Sequence, residues 1–282
     1  MMIQLPSGTV AYDDSGDGDP VLLVHATLHD RSDYDEVARE LARSHRVLAL
    51  DWPGHGESPR APKPESAALF GQILTEFVDA LQLVNLVIVG NSVGGFAACQ
   101  VALDRPTSVA GLVLVQGSGF APRTRAIRAF CRLQGSRWAV RAFLRVQVPR
   151  YMRARTPRDR EIVRRVVARS RTAEGSRVAA SLWRSFNDPR HDLRQRGRDI
   201  EAPTLVTWGS LDKNLNIAWG RAIERTIPDT RFVDMATGHL PFSSDPRGWC
   251  DLVAPFIAHV QSAPSSERDI EYGNQPMVPG SP

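Results

Sequence analysis

The stretch Gly90-Asn91-Ser92-Val93-Gly94-Gly95 constrains this chain more than any other. Ahead of it, Val84-Asn85-Leu86-Val87-Ile88-Val89 is short, apolar and β-branched, and reads as a buried strand. Behind it, residues 96–103 are Ala-rich and helix-favouring, and Asp104-Arg105-Pro106 closes them. Strand, one-residue turn and helix together fit G-x-S-x-G, a sharp serine elbow. The glycines let strand and helix approach closely, and the serine takes strained backbone angles that hold its hydroxyl at the top of a sheet.

A serine hydroxyl is a poor nucleophile at neutral pH, so it needs a base in hydrogen-bond reach and a group that orients the base. The surrounding pattern says where to look. Expected strands at 9–13, 20–25, 46–50, 84–89, 109–115, 203–208 and 231–235 alternate with helical segments. Such alternation makes a mostly parallel α/β sheet with helices on both faces, whose working residues collect in loops at the C-terminal strand ends. Between Phe120 and Arg198 the alternation breaks. Helix-spaced apolar sets recur there instead: Ala139, Phe143 and Val146; Ile162, Val163, Val166 and Val167; Val178, Ala179, Leu182, Trp183 and Phe186. The expected organisation is a core of residues 1–119 and 199–261, an all-helical cap at 120–198, and a disordered Ser/Pro/Gly-rich tail at 262–282.

Seven histidines compete for the role of base. His239 directly follows the last strand, in Ala236-Thr237-Gly238-His239-Leu240-Pro241, where a glycine frees the loop to aim the ring inward. His45, His191 and His259 read as surface residues and His25 as a structural strand-end residue, while His29 and His55 are candidates for a polar role in the pocket. Asp212 lies just after a strand in Trp208-Gly209-Ser210-Leu211-Asp212. The equivalent place after 109–115 holds Gln116-Gly117-Ser118 and no carboxylate. The order Ser92, Asp212, His239 differs from that of the two large serine-protease folds.

With these residues in place the chain resembles the α/β-hydrolase superfamily with a helical cap, over roughly residues 9–261. Asp51-x-x-Gly54-x-Gly56-x-Ser58 matches the loop that commonly precedes the elbow strand in that family, and Gly238-His239-x-Pro241 matches the histidine loop. His25-Ala26-Thr27 stands where the family usually has His-Gly-x, with Ala26 departing from the glycine. The resemblance implies acyl transfer through a catalytic triad of Ser92, His239 and Asp212. The backbone N–H groups of Val93 and Thr27 then form the oxyanion hole, and no metal or organic cofactor is required. Serine at the elbow argues against the dehalogenase and epoxide hydrolase chemistry of the superfamily, which rests on an aspartate.

The implied activity is a serine esterase acting on a small or medium ester, thioester or lactone. The Gly90-Asn91-Ser92 form also resembles carbon–carbon bond hydrolases of the meta-cleavage-product type, though Leu240 stands where that group has an aromatic residue. A non-catalytic ligand-binding module on the same fold is the alternative of another class. In the cap, Phe130, Trp138, Phe143, Trp183 and Phe186 read either as cap core or, for Trp138, Phe143 and Trp183, as substrate contacts.

Charge adds one feature. The 120–198 segment holds 22 Arg against 5 acidic residues, a net +17 in a chain of total +4, which leaves −13 elsewhere. These arginines read as solvated helix faces, with an anionic substrate or carrier as the alternative partner. No nucleic-acid-binding signature accompanies them. No run of apolar residues is long enough to span a membrane, and no secretory signal precedes the first strand. Three well-separated cysteines show neither disulfide nor zinc spacing, so the expected setting is a reducing cytoplasm.

Overall fold

The computed structural model describes residues 1–262. The expected tail beyond them therefore lies outside the described residues. Eight strands form one sheet: β1 (Met2–Leu5), β2 (Gly8–Ser15), β3 (Pro20–Val24), β4 (Arg46–Leu50), β5 (Leu86–Asn91), β6 (Val109–Val115), β7 (Thr204–Gly209) and β8 (Thr230–Met235), in the order β1-β2-β4-β3-β5-β6-β7-β8. Strand β1, absent from the sequence reading, pairs antiparallel with β2, which in turn pairs antiparallel with β4; all other pairings are parallel. Its four residues carry too short a pattern to read alone, and the pairing with β2 defines them.

The central strands are apolar throughout because both faces are covered. Leu22, Val24, Ile88, Leu112 and Leu114 belong to one core with helices α2 (Ala67–Ala80) and α3 (Val93–Asp104). Their strand neighbours Val21, Leu23, Val87, Val89 and Val113 belong to a second core. That core is closed by α1 (Asp35–Leu41) and α10 (Pro246–Ser262). Alternation along each strand thus splits its side chains between the two layers.

Between β6 and β7 lie four α-helices, two short 3-10 turns and no strand: α4 (Arg125–Gln134), α5 (Arg137–Met152), α6 (Pro157–Arg171) and α7 (Ala173–Ser185), then the turns Pro189–His191 and Arg196–Asp199. Each starts at a hydroxyl that caps its first turn: Thr124, Ser136, Thr156 and Thr172. At Thr156 the cap is reciprocal, since Asp159 also accepts from the Thr156 N–H. After β7 come α8 (Ile217–Thr226), β8, the short α9 (Pro241–Ser244) and α10.

The cap's inner face differs from the expected one. In α5 the buried residues are Ala139, Val140, Leu144, Val148 and Met152, so Ala139 of the expected set lies inside, whereas Val146 is 54% and Phe143 38% exposed. Apolar residues occupy both sides of this helix, so spacing alone cannot say which side is inside. In α6 much of the arginine excess turns inward. Arg165 pairs with Asp30 at 2.9 Å and with Asp33, Arg158 pairs with Asp35 at 3.2 Å, and Arg169 donates to the His29 carbonyl at 3.2 Å. These arginines bind the insertion to the acidic loop after β3 and are not the free solvated face that composition suggested.

Candidate active site

Register brings the site together. Val24, Gly90, Leu114, Val206 and Phe232 pair in a single row across β3, β5, β6, β7 and β8. Thr27, Ser92, Gln116, Asp212 and His239 all follow this row within a few residues, so they emerge at one sheet edge. Ser92 sits between β5 and α3 with φ 54° and ψ −114°, a combination only glycine adopts freely, at a cost of about 1–3 kcal/mol. The Ser92 N–H donates to the Val115 carbonyl at 3.0 Å, and the Ser92 carbonyl accepts from the Ser118 N–H at 3.0 Å. A side chain at Gly94 would collide with the Val24 carbonyl, and one at Gly90 would lie 2.6 Å from the Gly94 carbonyl oxygen. The elbow can be this sharp only because both positions lack Cβ.

Asp212 and His239 are both buried, and His239 Nδ1 lies 2.7 Å from Asp212 Oδ2. The same carboxylate oxygen accepts from Gln116 Nε2 at 3.2 Å, while Oδ1 accepts the N–H groups of Asn214 at 2.7 Å and Leu215 at 3.2 Å. Four groups converge on one carboxylate, two on each oxygen, and both oxygens serve as acceptors. Gln116 takes the place where the sequence offered no second acid, and it serves the first. Its role was not foreseen, because its backbone sits at a positive φ of 51° that no local signal announces.

The His239 loop is held from three sides. The His239 N–H donates to the Tyr151 carbonyl at 3.0 Å, and the Tyr151 ring stands edge-on to the imidazole with centroids 5.0 Å apart. Asn91 Nδ2, one residue before Ser92, donates to the His239 carbonyl at 3.4 Å. Just beyond, Ser243 and Ser244 donate to Asp159 of α6 at 2.9 and 3.2 Å. The Ser92 hydroxyl itself makes no hydrogen bond among the described residues; such contacts often tighten only around a substrate.

The other histidines have separate work. His25 Nδ1 donates to the Ala26 carbonyl at 2.8 Å and its Nε2 accepts the Trp52 N–H at 3.1 Å; burial pushes its pKa down to about 3, so it stays neutral. His55, likewise kept neutral by burial, accepts the Leu28 N–H at 3.0 Å and faces the Pro53 carbonyl at 3.1 Å. It thereby fixes the loop of Thr27, which turns at Leu28 with φ 68°. The motif from Asp51 to Ser58 folds on itself to present that ring. Ser58 Oγ donates to the Asp51 carbonyl at 2.7 Å, and the Asp51 side chain accepts from the Glu57 and Arg31 N–H groups. Thr27 makes no hydrogen bond among the described residues.

His29 touches Asp33 through Nδ1 and the Tyr151 hydroxyl through Nε2 at 3.1 Å, so a polar chain runs from the Tyr151 hydroxyl to Arg165 of α6. His45, expected at the surface, is buried and contacts the Leu41 carbonyl at 3.3 Å. His191 is half-buried against Phe96 and Phe186, 3.3 Å from Ser118 Oγ, and burial lowers its pKa to about 4. Of the three cap aromatics, Trp183 packs edge-on against Phe130 and Phe186. Trp138 is 69% exposed, with its ring edge-on to Phe143 at 5.8 Å. The structure does not bring Trp138 or Phe143 to Ser92 by any contact among the described residues.

Comparisons with known proteins agree with this architecture. The family model for the alpha/beta hydrolase fold matches residues 19–137. A sn-1-specific diacylglycerol lipase of Mus musculus is 26% identical over 86% of this chain and 83% of its own. A pimeloyl-[acyl-carrier protein] methyl ester esterase of Aeromonas hydrophila is 25% identical over 88% of this chain and 99% of its own. Among solved structures, a thermophilic esterase from Thermogutta terrifontis superposes with a TM-score of 0.80 at 24% identity, covering 93% of this chain and 99% of that one. With a mostly parallel sheet, a serine elbow and a helical insertion between β6 and β7, the chain has the alpha/beta hydrolase fold.

Proposed function

We propose that this protein hydrolyses a carboxylic ester, thioester or lactone through an acyl-enzyme on Ser92. The observation that carries the reading is the buried Asp212–His239 pair at 2.7 Å, reached from the two strands beyond the strained Ser92 elbow. Asp212 is already saturated with donors, so it holds His239 as the Nδ1–H tautomer and leaves Nε2 free to accept a proton.

Nε2 then takes the Ser92 proton as Oγ attacks the substrate carbonyl. The N–H groups of Val93, at the first turn of α3, and of Thr27 receive the oxyanion, each donor worth about 3–4 kcal/mol in a dry site. His239 returns the proton to the leaving oxygen or sulfur. A water deprotonated by the same imidazole releases the acid and restores Ser92. The relatives named above are an ester-cleaving lipase and esterases, which supports an ester as the substrate class.

The test is covalent. A fluorophosphonate probe should label the wild type at Ser92 and leave Ser92→Ala unlabelled, with p-nitrophenyl ester turnover lost in parallel. Equal labelling of both proteins refutes the nucleophile.

A further inference from the structure

The arginines of α4 and α5 behave unlike those of α6. From Arg105 to Arg158 the chain contains no Asp or Glu. Seven arginines stand on these two helices: Arg125, Arg128, Arg132, Arg137, Arg141, Arg145 and Arg150. All are exposed, and none forms an ion pair among the described residues. Beside them lie Phe130, Leu133, Trp138, Phe143 and Val146, between 38% and 69% exposed.

The placement is periodic. On α5, Arg137, Arg141 and Arg145 form one stripe at four-residue spacing, and Trp138, Ala142 and Val146 form the stripe next to it. The two run side by side over about 12 Å of helix. On α4, Arg125, Arg128 and Arg132 run beside Ala126, Phe130 and Leu133, and only Cys131 and Gln134 are buried. A guanidinium row flanking an apolar row, on a helix already anchored by its opposite side, is the pattern of a surface that meets water on one level and hydrocarbon on another.

We infer that the outer face of α4 and α5 docks on an anionic lipid surface. The arginines would bind headgroup phosphates while Trp138, Phe130, Leu133 and Val146 enter the headgroup–acyl boundary. Charge complementarity argues for this occupant. Seven guanidiniums with no carboxylate partner among the described residues, in rows along the helix axes, suit a two-dimensional array of phosphates better than the few carboxylates that a folded protein presents at set positions; only Arg137 is engaged, with the Ala173 carbonyl at 3.5 Å. Among the described residues no helix is long and apolar enough to cross a membrane, so the contact is peripheral. The consequence for the site is positional. Helix α5 runs from Trp138 at this face to Tyr151 against the His239 ring, so docking would set the orientation of the active site towards the lipid.

The experiment is sedimentation with sucrose-loaded vesicles of phosphatidylcholine, with and without phosphatidylglycerol, at low and high salt. The wild type should pellet with the mixed vesicles at low salt and much less with phosphatidylcholine alone or at high salt. The fluorescence of Trp138, the most exposed tryptophan, should shift to the blue. Each arginine near such a surface contributes roughly fivefold, so R137E/R141E/R145E should weaken binding by at least about a hundredfold. L133S/V146S, which keeps every charge, should weaken it roughly tenfold. Unchanged thermal unfolding of both variants shows that they fold. Absence of binding to the mixed vesicles overturns the inference. So does equal binding by the arginine variant, or capture of an acidic protein by this face without vesicle binding. Because binding is read without turnover, its failure leaves the hydrolase reading untouched, and failure of that reading leaves this one.

Discussion

Replacing Asp212 by asparagine should reveal how His239 is held. The four groups facing the Asp212 carboxylate are all donors: His239 Nδ1 and Gln116 Nε2 on one oxygen, the N–H groups of Asn214 and Leu215 on the other. An amide has only one oxygen. If that oxygen faces His239 and Gln116, its NH2 meets two backbone donors that cannot rearrange. The amide therefore keeps its oxygen on the backbone and turns its NH2 towards the imidazole. His239 Nδ1 then has to accept, its proton moves to Nε2, and the nitrogen that takes the Ser92 proton in the proposed mechanism can no longer do so. Loss of the correct tautomer costs about 10⁴-fold in turnover, as for the buried acid of serine-protease triads, equivalent to about 5 kcal/mol of barrier. The assay is kcat/KM on a p-nitrophenyl ester, with thermal unfolding to show that the fold survives. A D212N protein within tenfold of wild type would refute the assignment of Asp212 and His239 as a working pair.

Three further outcomes follow from the geometry. Ser92→Gly abolishes turnover yet raises stability by about 1 kcal/mol, because glycine adopts φ 54°, ψ −114° without strain; calorimetry should show the melting temperature rising by about 2 °C. Gly238→Ala drives a methyl group into the Tyr151 and Met152 carbonyls, which are backbone and cannot yield. It should cost about 1–3 kcal/mol of stability by urea unfolding and lower turnover more than tenfold. Burial lowers the His25 and His191 pKa values to about 3 and 4, below the ordinary 6.5 of an unfolded chain. Between those values the unfolded chain binds more protons, so stability is full above pH 6.5 and is lost as the pH falls. Urea denaturation at pH 5 should show roughly 2 kcal/mol less stability from His25 alone, and an unchanged midpoint would contradict the neutral burial of these rings.

Much of this was legible in the chain because its signals are local. The elbow announces itself through Gly90, Gly94 and Gly95, since close approach of strand and helix excludes side chains at fixed offsets from Ser92. Asp212 and His239 each follow a readable strand, and the strand ends deliver them to one edge. What could not be read depends on contacts distant in sequence. The function of Gln116 exists only once β6 and β7 lie side by side, and Tyr151 acquires its role only when α5 ends against the loop after β8. The cap arginines have a single composition but two fates. Arg158, Arg165 and Arg169 of α6 meet Asp30, Asp33 and Asp35, while the seven of α4 and α5 are exposed and form no ion pair among the described residues. In α5 the apolar residues cover two faces, and only packing selects Val140, Leu144 and Val148 as the inner one.

The clasp between the Tyr151 carbonyl and the His239 N–H makes the insertion part of the frame that holds the candidate site. A cap exchanged with that of another core of this architecture would remove one of the supports that position the imidazole, even if every residue of the sheet were kept. Chimeras built to alter selectivity would therefore need to cut the chain so that the end of α5 stays with the host, and an insertion that swings away as one rigid piece would take part of the His239 loop's mounting with it.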